Sequence, residues 1–333
     1  MLCYVDDALP GITRRRHGRS FAYFDPDGKR ITDRDEIDRL NKIGLPPAYH
    51  DAWLCPSPHG HIQAIGYDDK GRKQYRYHPE FRDAQEADKY ALCADFGRAL
   101  PLIRARVDND LAHRALDKDT VVAAVVRLLD LGQVRVGNEG YAKANRSFGA
   151  TTLRNRHADV SGRRLRLEYR GKSGKMQRLT IEDGRLSRLV RRCQDLPGQH
   201  LFEYLDDDGA VHPVTSNDVN DYLREATGKD FTAKHFRTWG ASVIAFKALV
   251  DRDRPAATLK TMLAEVSQAL GNTPAIARKS YVHPALVALA RAGDRETLCD
   301  LRLPRATKYL SGAERGLIAF LDTLAEGEEA KAA

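Results

Sequence analysis

Four residues that lie far apart in the chain have the types that phosphoryl transfer through a tyrosine requires. That reaction needs a nucleophile in line with the phosphorus, cations against the non-bridging oxygens and an acid for the leaving oxygen. Arg135 and Arg237 can supply the cations, because a guanidinium binds two phosphate oxygens at once and keeps its proton. Lys172 suits the role of the acid and Tyr281 that of the nucleophile. If the substrate is a phosphodiester, these residues indicate a covalent mechanism.

Each of these residues also has an ordinary structural interpretation when it is considered alone. Arg237 could form an ion pair on a helix, Lys172 could be a solvated turn residue, and Tyr281 could pack against a helix end. Asn272, which precedes that helix, could be a cap that follows Gly271. The chemical interpretation therefore depends on the residues occurring as a set.

The sequence around these positions resembles the active-site blocks of type IB DNA topoisomerases, most closely those of the compact poxvirus-like branch found in bacteria. The blocks are RVGNEGYAKAN at Arg135, RGKSGK at Lys172, KHFRTWGAS at Arg237 and LGNTPAIARKSYVHP at Tyr281. They occur in the family's order, with a family-like step of 37 residues from Arg135 to Lys172. The N-terminal segment GRKQYRYH is also similar, so the resemblance covers nearly the whole chain.

The resemblance implies an α+β fold of the topoisomerase IB and tyrosine recombinase type. A small, mainly β N-terminal domain that clamps DNA would occupy residues 1–84, and a larger, mainly α catalytic domain with a β-hairpin would occupy residues 85–333. A chain of 333 residues exceeds the usual size of one domain, which by itself favours two. The acidic residues from about 325 to 333 are expected to form a disordered tail.

The resemblance also implies a role for each residue of the set. Tyr281 would attack a phosphodiester of double-stranded DNA and become joined to the 3′-phosphate, while Arg135 and Arg237 would stabilise the transition state. Asn272 would donate a hydrogen bond to a non-bridging oxygen, and Lys172 would protonate the departing 5′-oxygen. Rotation of the free strand and religation would then relax positive and negative supercoils without ATP, metal or any other cofactor.

Four further residues match positions at which the family contacts DNA. Gln74, Tyr75 and Tyr77 match a DNA-contacting strand, and Tyr141 matches a helix residue that faces the duplex. Half-buried sheet packing remains an alternative for the tyrosines of the strand. Asn138 stands where the viral enzymes have a base-contacting lysine, which argues against a strong preference for one short cleavage sequence.

Two other functions remain open from the sequence. Tyrosine recombinases share the catalytic fold, but they usually have histidine where this chain has Lys234, three residues before Arg237. They and the viral topoisomerases commonly have histidine nine residues before the tyrosine, where this chain has Asn272. An amide donates a hydrogen bond but neither takes up nor releases a proton. Asn272 therefore excludes proton transfer at that position. A non-catalytic DNA-binding protein is the second alternative.

The distribution of charge favours a nucleic-acid partner. The chain has a formal net charge of +8, and the segment from Ser161 to Arg192 alone contains eleven basic residues against three acids. A concentrated basic face of this kind is typical of proteins that bind the phosphate backbone. A solvated basic surface without a ligand is the alternative interpretation.

Two apparent motifs do not support a nucleotide or metal site. The G-K-S sequence of a phosphate-binding loop occurs at Lys172, but Arg166 occupies the position of its leading glycine and a strand is expected to follow. The five cysteines, Cys3, Cys55, Cys93, Cys193 and Cys299, are scattered without a C-x-x-C pair, and the pair His59 and His61 lacks further ligands. We therefore expect neither nucleotide nor metal.

Local patterns predict the elements that carry these residues. Leu165, Leu167 and Tyr169 alternate with charged residues, which predicts a hairpin strand with Lys172 at the tip. The first 80 or so residues are interpreted as short strands and turns.

The helices are predicted from their capping residues. Asp119 or Thr120 would begin one helix, and Gly132 would end it before Arg135. Thr273 would cap a short helix that runs as far as Pro284, with Tyr281 near its C-terminus and His283 stabilising that end.

Hydropathy and the N-terminal sequence bear on localisation. No apolar run approaches the ~20 residues that span a bilayer, and the N-terminus lacks the layout of a signal peptide. We therefore expect a cytoplasmic, nucleoid-associated protein with no membrane partner. The absence of an apolar heptad pattern favours a monomer.

Overall fold

The computed structural model describes residues 2–18, 20–69, 71–251, 258–293 and 303–332. The chain divides into two units, Met1–Tyr90 and Ala91–Ala333. A small β-rich unit comes first and a mainly helical unit second, so the predicted α+β class is confirmed. Cys299 lies outside the described residues.

The first unit is built around one antiparallel sheet. Its strands are β1 (Ile12–His17), β2 (Ser20–Phe24), β3 (His50–Leu54), β4 (Ile62–Tyr67) and β5 (Lys73–Tyr77). They pair in the order β2-β1-β3-β4-β5, which makes β5 one edge of the sheet. The core of this unit includes Ile12, Leu54, Ala64 and Leu40, all of them buried.

A helix, α1 (Arg34–Lys42), lies among these strands, where the sequence predicted strands and turns only. The carboxylate of Asp33 accepts a hydrogen bond from the amide of Asp35 at 2.9 Å and caps the first turn. Leu40 is the buried residue of this helix. The prediction missed α1, although Asp33 is a capping residue and Ile37 and Leu40 have the spacing of one helix face.

The second unit consists mainly of helices, with two small sheets. The helices are α2 (Pro79–Asp110), α3 (Lys118–Gly132), α4 (Glu139–Asn145), α5 (Gly184–Gln194), α6 (Ser216–Thr227), α7 (Ala233–Val250), α8 (Leu259–Leu270), α9 (Pro274–Ser280) and α10 (Pro284–Ala292), with a last helix at Gly312–Ala332. The strands are β6 (Ala158–Ser161), β7 (Arg164–Arg170), β8 (Met176–Glu182), β9 (Glu203–Leu205) and β10 (Val211–Pro213). The division at Tyr90 falls inside α2, whereas the sequence placed the boundary after residue 84.

Helix α3 is central to the core of the second unit. Residues 120–126 are all buried, as are Leu128 and Leu129, so the helix is enclosed on all sides. It packs against α5, α6 and α7. The C-terminal end of α3 therefore has a fixed position in the core, and the segment that carries Arg135 starts from it.

The ends of α3 differ from the prediction by a few residues. Asp117 caps the helix, because its carboxylate accepts a hydrogen bond from the amide of Thr120 at 2.9 Å, and the predicted caps Asp119 and Thr120 lie inside the helix. At the other end Gln133, rather than Gly132, takes the left-handed conformation, with φ 50°. Several neighbouring residues have capping side chains, and the sequence alone does not decide which of them adopts the backbone conformation of a cap.

The hairpin of β7 and β8 has the predicted alternation. Leu165, Leu167 and Tyr169 are buried and the residues between them are exposed. The strands are joined by a short 3₁₀ turn, Lys172–Gly174, so Lys172 lies at the tip as predicted.

The C-terminal segment is helical rather than disordered. The last helix continues to Ala332, through the residues from about 325 that we expected to form a tail. Alanine, glutamate and lysine, which dominate this segment, are strong helix formers, and they outweigh the single glycine, Gly327. The prediction was wrong because acidic composition was given more weight than helix propensity.

The cap of α3 can be tested by stability measurements. We expect Asp117→Ala to lower the free energy of unfolding by about 1 kcal/mol, because a helix amide loses its partner. Asp119→Ala, a change to the residue that the sequence predicted as cap, should have a much smaller effect. Urea denaturation followed by circular dichroism measures both. A larger loss in Asp119→Ala than in Asp117→Ala would contradict this assignment.

Candidate active site

Arg135 lies on an extended segment that leaves the C-terminal end of α3. Gln133, in the left-handed conformation, turns the chain there. The carbonyl of Arg135 accepts a hydrogen bond from the amide of Ala150 at 2.8 Å. A Cβ atom on Gly149 would lie 2.6 Å from the carbonyl oxygen of Arg135, so glycine is required for this approach. The backbone of Arg135 is therefore held firmly.

Arg237 is a buried residue of α7, with 4% of its surface exposed. Its Nη1 donates to the carbonyl of Gln133, and its Nη2 donates to the carbonyl of Leu270 at 3.0 Å. These carbonyls stand at the C-terminal ends of α3 and α8, where the helix dipole favours a cation. Nε of Arg237 is buried and has no hydrogen-bond partner among the described residues.

Asn272 lies in the turn between α8 and α9. Gly271 ends α8 in the left-handed conformation, and the side chain of Thr273 caps α9, so Asn272 is not the cap. Oδ1 of Asn272 accepts a hydrogen bond from Nη2 of Arg135 at 2.8 Å. Its Nδ2 is buried without a hydrogen-bond partner in the described part of the chain.

Tyr281 is the residue that directly follows α9. Its amide donates to the carbonyl of Ala277 at 3.1 Å, which closes the end of the helix. The guanidinium carbon of Arg237 lies 4.8 Å from the centre of the Tyr281 ring, a cation–π distance. The aromatic ring is thus in contact with a cation of the set.

His283 has a different role from the predicted one. It is the N-cap of α10, and its Nδ1 accepts a hydrogen bond from the amide of Ala285 at 3.3 Å. Burial lowers the pKa of His283 to about 4, so the ring is neutral near pH 7 and adds no charge at the end of α9. The prediction failed because Pro284 begins a new helix instead of only ending α9.

Lys172 brings a flexible cation to the same region. Ser173 and Gly174 at the hairpin tip both have left-handed backbone conformations, and Lys172 is exposed. A small cavity is lined by Arg135, Lys172 and Arg237, and Tyr169 and Gln177 of the hairpin line it as well. Residues far apart in the chain therefore surround one space.

The cations of this cavity lack acidic partners. None of the ion pairs between described residues includes Arg135, Lys172 or Arg237. Burial lowers the pKa of Arg237, and the neighbouring charge of Arg135 lowers it further. Because a guanidinium keeps its proton in any case, the site holds uncompensated positive charge. Such a site favours an anionic ligand.

These charges act on Tyr281. Burial by itself would raise the pKa of the Tyr281 phenol, but the positive charges of Arg237, Arg135 and Lys172 outweigh it and lower the pKa below its ordinary value. A lowered pKa makes the phenolate more accessible, which is what a tyrosine nucleophile needs.

Tyr169, which lines the cavity, has the opposite property. Tyr169 is 4% exposed, and its burial raises its pKa to about 12 although Arg237 and Arg135 oppose the shift. Electrostatics therefore distinguishes Tyr281 from Tyr169 as the more easily ionised group. The sequence indicated only that Tyr169 faces inward from the hairpin, and its place on the strand that leads to Lys172 was the available signal.

Comparison with known proteins identifies the family. Residues 78–279 match the family model described as the catalytic core of eukaryotic DNA topoisomerase I, and residues 20–68 match that of the N-terminal domain of bacterial DNA topoisomerase IB. The chain is 33% identical over 287 residues to the DNA topoisomerase 1B of Acanthamoeba polyphaga mimivirus, a match that covers 82% of this chain and 85% of the relative. The chain belongs to the type IB DNA topoisomerases.

More distant members of the topoisomerase family match a shorter part of the chain. The DNA topoisomerase 1B of vaccinia virus (strain Copenhagen) is 18% identical over 237 residues, which is 68% of this chain and 72% of the relative. The DNA topoisomerase 1 of rabbit fibroma virus (strain Kasza) is 22% identical over 232 residues, 66% of this chain and 68% of the relative. The resemblance inferred from the sequence blocks is confirmed by these matches.

The DNA-contact candidates of the first unit lie on the edge strand β5. Tyr75 and Tyr77 are 41% and 45% exposed, and their rings stack with centroids 5.8 Å apart. Gln74 points to the other face, where its Nε2 donates to Oδ2 of Asp68 at 3.2 Å. The two tyrosines thus form an accessible aromatic surface, while Gln74 is engaged within the unit.

Tyr141 is the DNA-contact candidate of the second unit. It lies on α4 and is 58% exposed. Asn138 caps this helix, because its Oδ1 accepts a hydrogen bond from the amide of Tyr141 at 3.2 Å. Asn138 therefore has a structural role at the start of the helix that carries Tyr141.

The basic segment from Ser161 to Arg192 is less uniform than its composition suggested. Several of its arginines are used within the unit: Arg178 pairs with Glu168, and Arg192 donates to the carbonyl of Arg114. Others, such as Arg166 and Arg170, are exposed on the outer face of β7. The predicted single basic face is therefore only partly present.

Two features bear on cofactors and membranes. Among the described residues, no group of three or more histidine, cysteine, aspartate or glutamate side chains could hold a metal ion. In the same residues, no helix combines the length and the apolar character that crossing a membrane requires.

The contrast between Tyr281 and Tyr169 can be measured directly. In a protein with ¹³C-labelled tyrosine rings, we expect Tyr281 to lose its proton at a lower pH than free tyrosine, and Tyr169 to do so near pH 12. The NMR signals are assigned with Tyr281→Phe and Tyr169→Phe. Arg237→Met should raise the pKa of Tyr281, because the largest opposing charge is removed. The account is contradicted if Tyr169 ionises before Tyr281.

Proposed function

We propose that this topoisomerase relaxes positively and negatively supercoiled DNA through a transient 3′-phosphotyrosyl link at Tyr281, without ATP or metal. One observation carries the proposal: the Tyr281 ring contacts the Arg237 guanidinium beside a cavity that Arg135 and Lys172 also line. A single phosphate bound there would have access to the nucleophile, to the two cations that stabilise the transition state and to the acid.

The unsatisfied donors of the site indicate how a phosphate would bind. Nδ2 of Asn272 and Nε of Arg237 are buried without hydrogen-bond partners among the described residues, although buried donors are ordinarily paired. The non-bridging oxygens of a phosphodiester would accept from these donors and from Arg135. The anion would also balance the positive charge that no carboxylate of the described chain offsets.

The chemical step follows from this arrangement. The Tyr281 oxygen attacks the phosphorus and forms a P–O bond, while the bond from phosphorus to the 5′-oxygen breaks. The phenol proton passes to solvent, because the cations stabilise the phenolate, and Lys172 donates a proton to the departing 5′-oxygen. Arg135, Arg237 and Asn272 stabilise the charge on the pentacoordinate phosphorus.

Relaxation and religation need no external energy source in this scheme. The phosphotyrosyl bond conserves the energy of the broken phosphodiester, and the free 5′-hydroxyl end rotates about the intact strand. Attack of that hydroxyl on the phosphotyrosine then restores the backbone and releases Tyr281.

Binding of the duplex would involve side chains of both units, of which Tyr75, Tyr77 and Tyr141 are exposed and Gln74 is partly buried. We assign Tyr75, Tyr77 and Gln74 of the N-terminal domain, residues 1–84, and Tyr141 of the catalytic domain, residues 85–333, to this task. A monomer in the cytoplasm, associated with the nucleoid, is sufficient for the activity. Association should weaken steeply with salt, because phosphate contacts release counterions.

The nucleophile is tested by substitution of Tyr281 and, for comparison, of Tyr169. Tyr281→Phe should bind DNA, yield no adduct that survives denaturation in detergent, and relax plasmid more slowly by a factor on the order of 10⁴ or more. Tyr169→Phe is the matched control and should still form the adduct. The assays contain EDTA and no ATP, and recombinant joints are scored to separate relaxation from strand exchange. Relaxation by Tyr281→Phe at a rate near that of the parent would exclude the mechanism.

The amide of Asn272 provides a second test. Asn272→Ala should slow single-turnover cleavage by about 10²–10³, the loss typical of one transition-state hydrogen bond. Asn272→Asp should be slower still, since a carboxylate would repel the phosphate. A cleavage rate for Asn272→Ala within twofold of the parent would remove Asn272 from the proposed set.

A further inference from the structure

One polar side chain of the hairpin, Gln177, has no role in the mechanism above, although it lies in the same cavity. Gln177 is opposite Tyr169 in the pairing of β7 with β8, so its side chain is on the same face as that buried tyrosine. It lines the cavity together with Arg135, Lys172 and Arg237. The side chains on the other face of β8, by contrast, are exposed.

The side chain of Gln177 packs against two glycines that precede residues of the proposed site. A Cβ atom on Gly171, the residue before Lys172, would lie 2.9 Å from Cγ of Gln177. A Cβ atom on Gly271, the residue before Asn272, would lie 2.3 Å from Oε1 of Gln177. Gln177 therefore fills the space between the hairpin and the turn that joins α8 to α9.

The conformation of Gly171 gives independent support for this contact. Gly271 has φ 64°, so the left-handed conformation alone accounts for glycine there. Gly171 has φ −91°, which any residue can adopt. Its backbone does not require glycine, but a side chain at this position would have to displace Gln177.

The hairpin needs such a contact to control the position of its tip. The amide of Gly171 donates to the carbonyl of Lys175 at 2.8 Å, which closes the turn but fixes it only relative to the hairpin itself. Lys172 is exposed and makes no ion pair with any described residue. A packing contact between the base of the tip and the α8–α9 turn would set the distance from Lys172 to the bound phosphate.

We propose that Gln177 is a positioning residue that holds the Lys172 hairpin against the α8–α9 turn and so keeps the acid within reach of the 5′-oxygen. The inference rests on the proposed role of Lys172. Loss of the contact should slow proton donation to the leaving group, and attack by Tyr281 should be preserved.

The test compares leaving groups that differ in their need for a proton. The substrate is a duplex oligonucleotide that contains a cleavage site mapped with this enzyme, made either with the ordinary 5′-oxygen or with sulfur at that bridging position. A thiolate leaves without protonation, so a variant that is defective only in the acid step should recover on the sulfur substrate. Single-turnover cleavage is measured for the parent chain, Lys172→Ala, Gln177→Ala and Gln177→Met.

We expect Gln177→Ala to cleave the oxygen substrate about 10–100 times more slowly than the parent, since small displacements of a catalytic group have effects of this size. On the sulfur substrate its rate should come within about threefold of the parent, as should that of Lys172→Ala. Gln177→Met, which keeps the length of the side chain, should retain most of the rate. Thr180→Ala, on the exposed outer face of β8, is the control and should behave as the parent does.

The outcomes separate this inference from the proposed function. An equal defect of Gln177→Ala on both substrates, or no defect on the oxygen substrate, would overturn the role of Gln177 while leaving that of Lys172 intact. Failure of the sulfur substrate to rescue Lys172→Ala would overturn the role of Lys172, and the inference with it.

Discussion

The burial of Arg237 without a carboxylate partner is the constraint on which the site depends. Charge in a protein interior is costly unless it is compensated, and here the carbonyls of Gln133 and Leu270 supply the compensation. Those carbonyls are available because α3 and α8 both end beside the guanidinium. The C-terminal ends of the two helices carry the segments of Arg135 and Asn272, so the contacts that stabilise one cation also bring the other groups of the site together.

The positive charge of the site also distinguishes between chemically identical side chains. Tyr281 and Tyr169 are both near Arg237 and Arg135, but Tyr169 is the more deeply buried, and desolvation dominates its pKa. Tyr281 contacts the guanidinium directly and is less enclosed, so the charges dominate and its pKa falls. The depth of each phenol, and not the identity of the residue, makes one of them suitable as a nucleophile.

The sequence predicted those features that depend on local pattern or on recognisable blocks. Alternation predicted the hairpin and the position of Lys172, and the blocks led to the family that the comparisons confirm. The residue set of the site was implied by the resemblance, but the particular contacts between distant segments, such as that of Arg237 with the carbonyls of Gln133 and Leu270, were not predicted. The alternation predicted that Tyr169 faces inward. It did not predict that Tyr169 lies near Arg135 and Arg237, because this depends on contacts between segments far apart in the chain. The predicted cap of α3 and the predicted disorder of the C-terminal segment were wrong for a different reason. Small differences in local free energy decide which of several neighbouring residues caps a helix, as at Asp117, and whether a terminal segment is helical.

We propose that Tyr281, Arg135, Arg237 and Asn272 converge on one phosphorus. This can be tested in a complex of the enzyme with nicked duplex DNA and orthovanadate, in which the vanadium adopts the geometry of a pentacoordinate phosphorus. We expect a crystal structure in which vanadium is bonded to the oxygen of Tyr281, with nitrogen atoms of Arg135, Arg237 and Asn272 at about 2.7–3.1 Å from its equatorial oxygens. Vanadate bonded to Tyr169, or bound away from the two guanidiniums, would contradict the account.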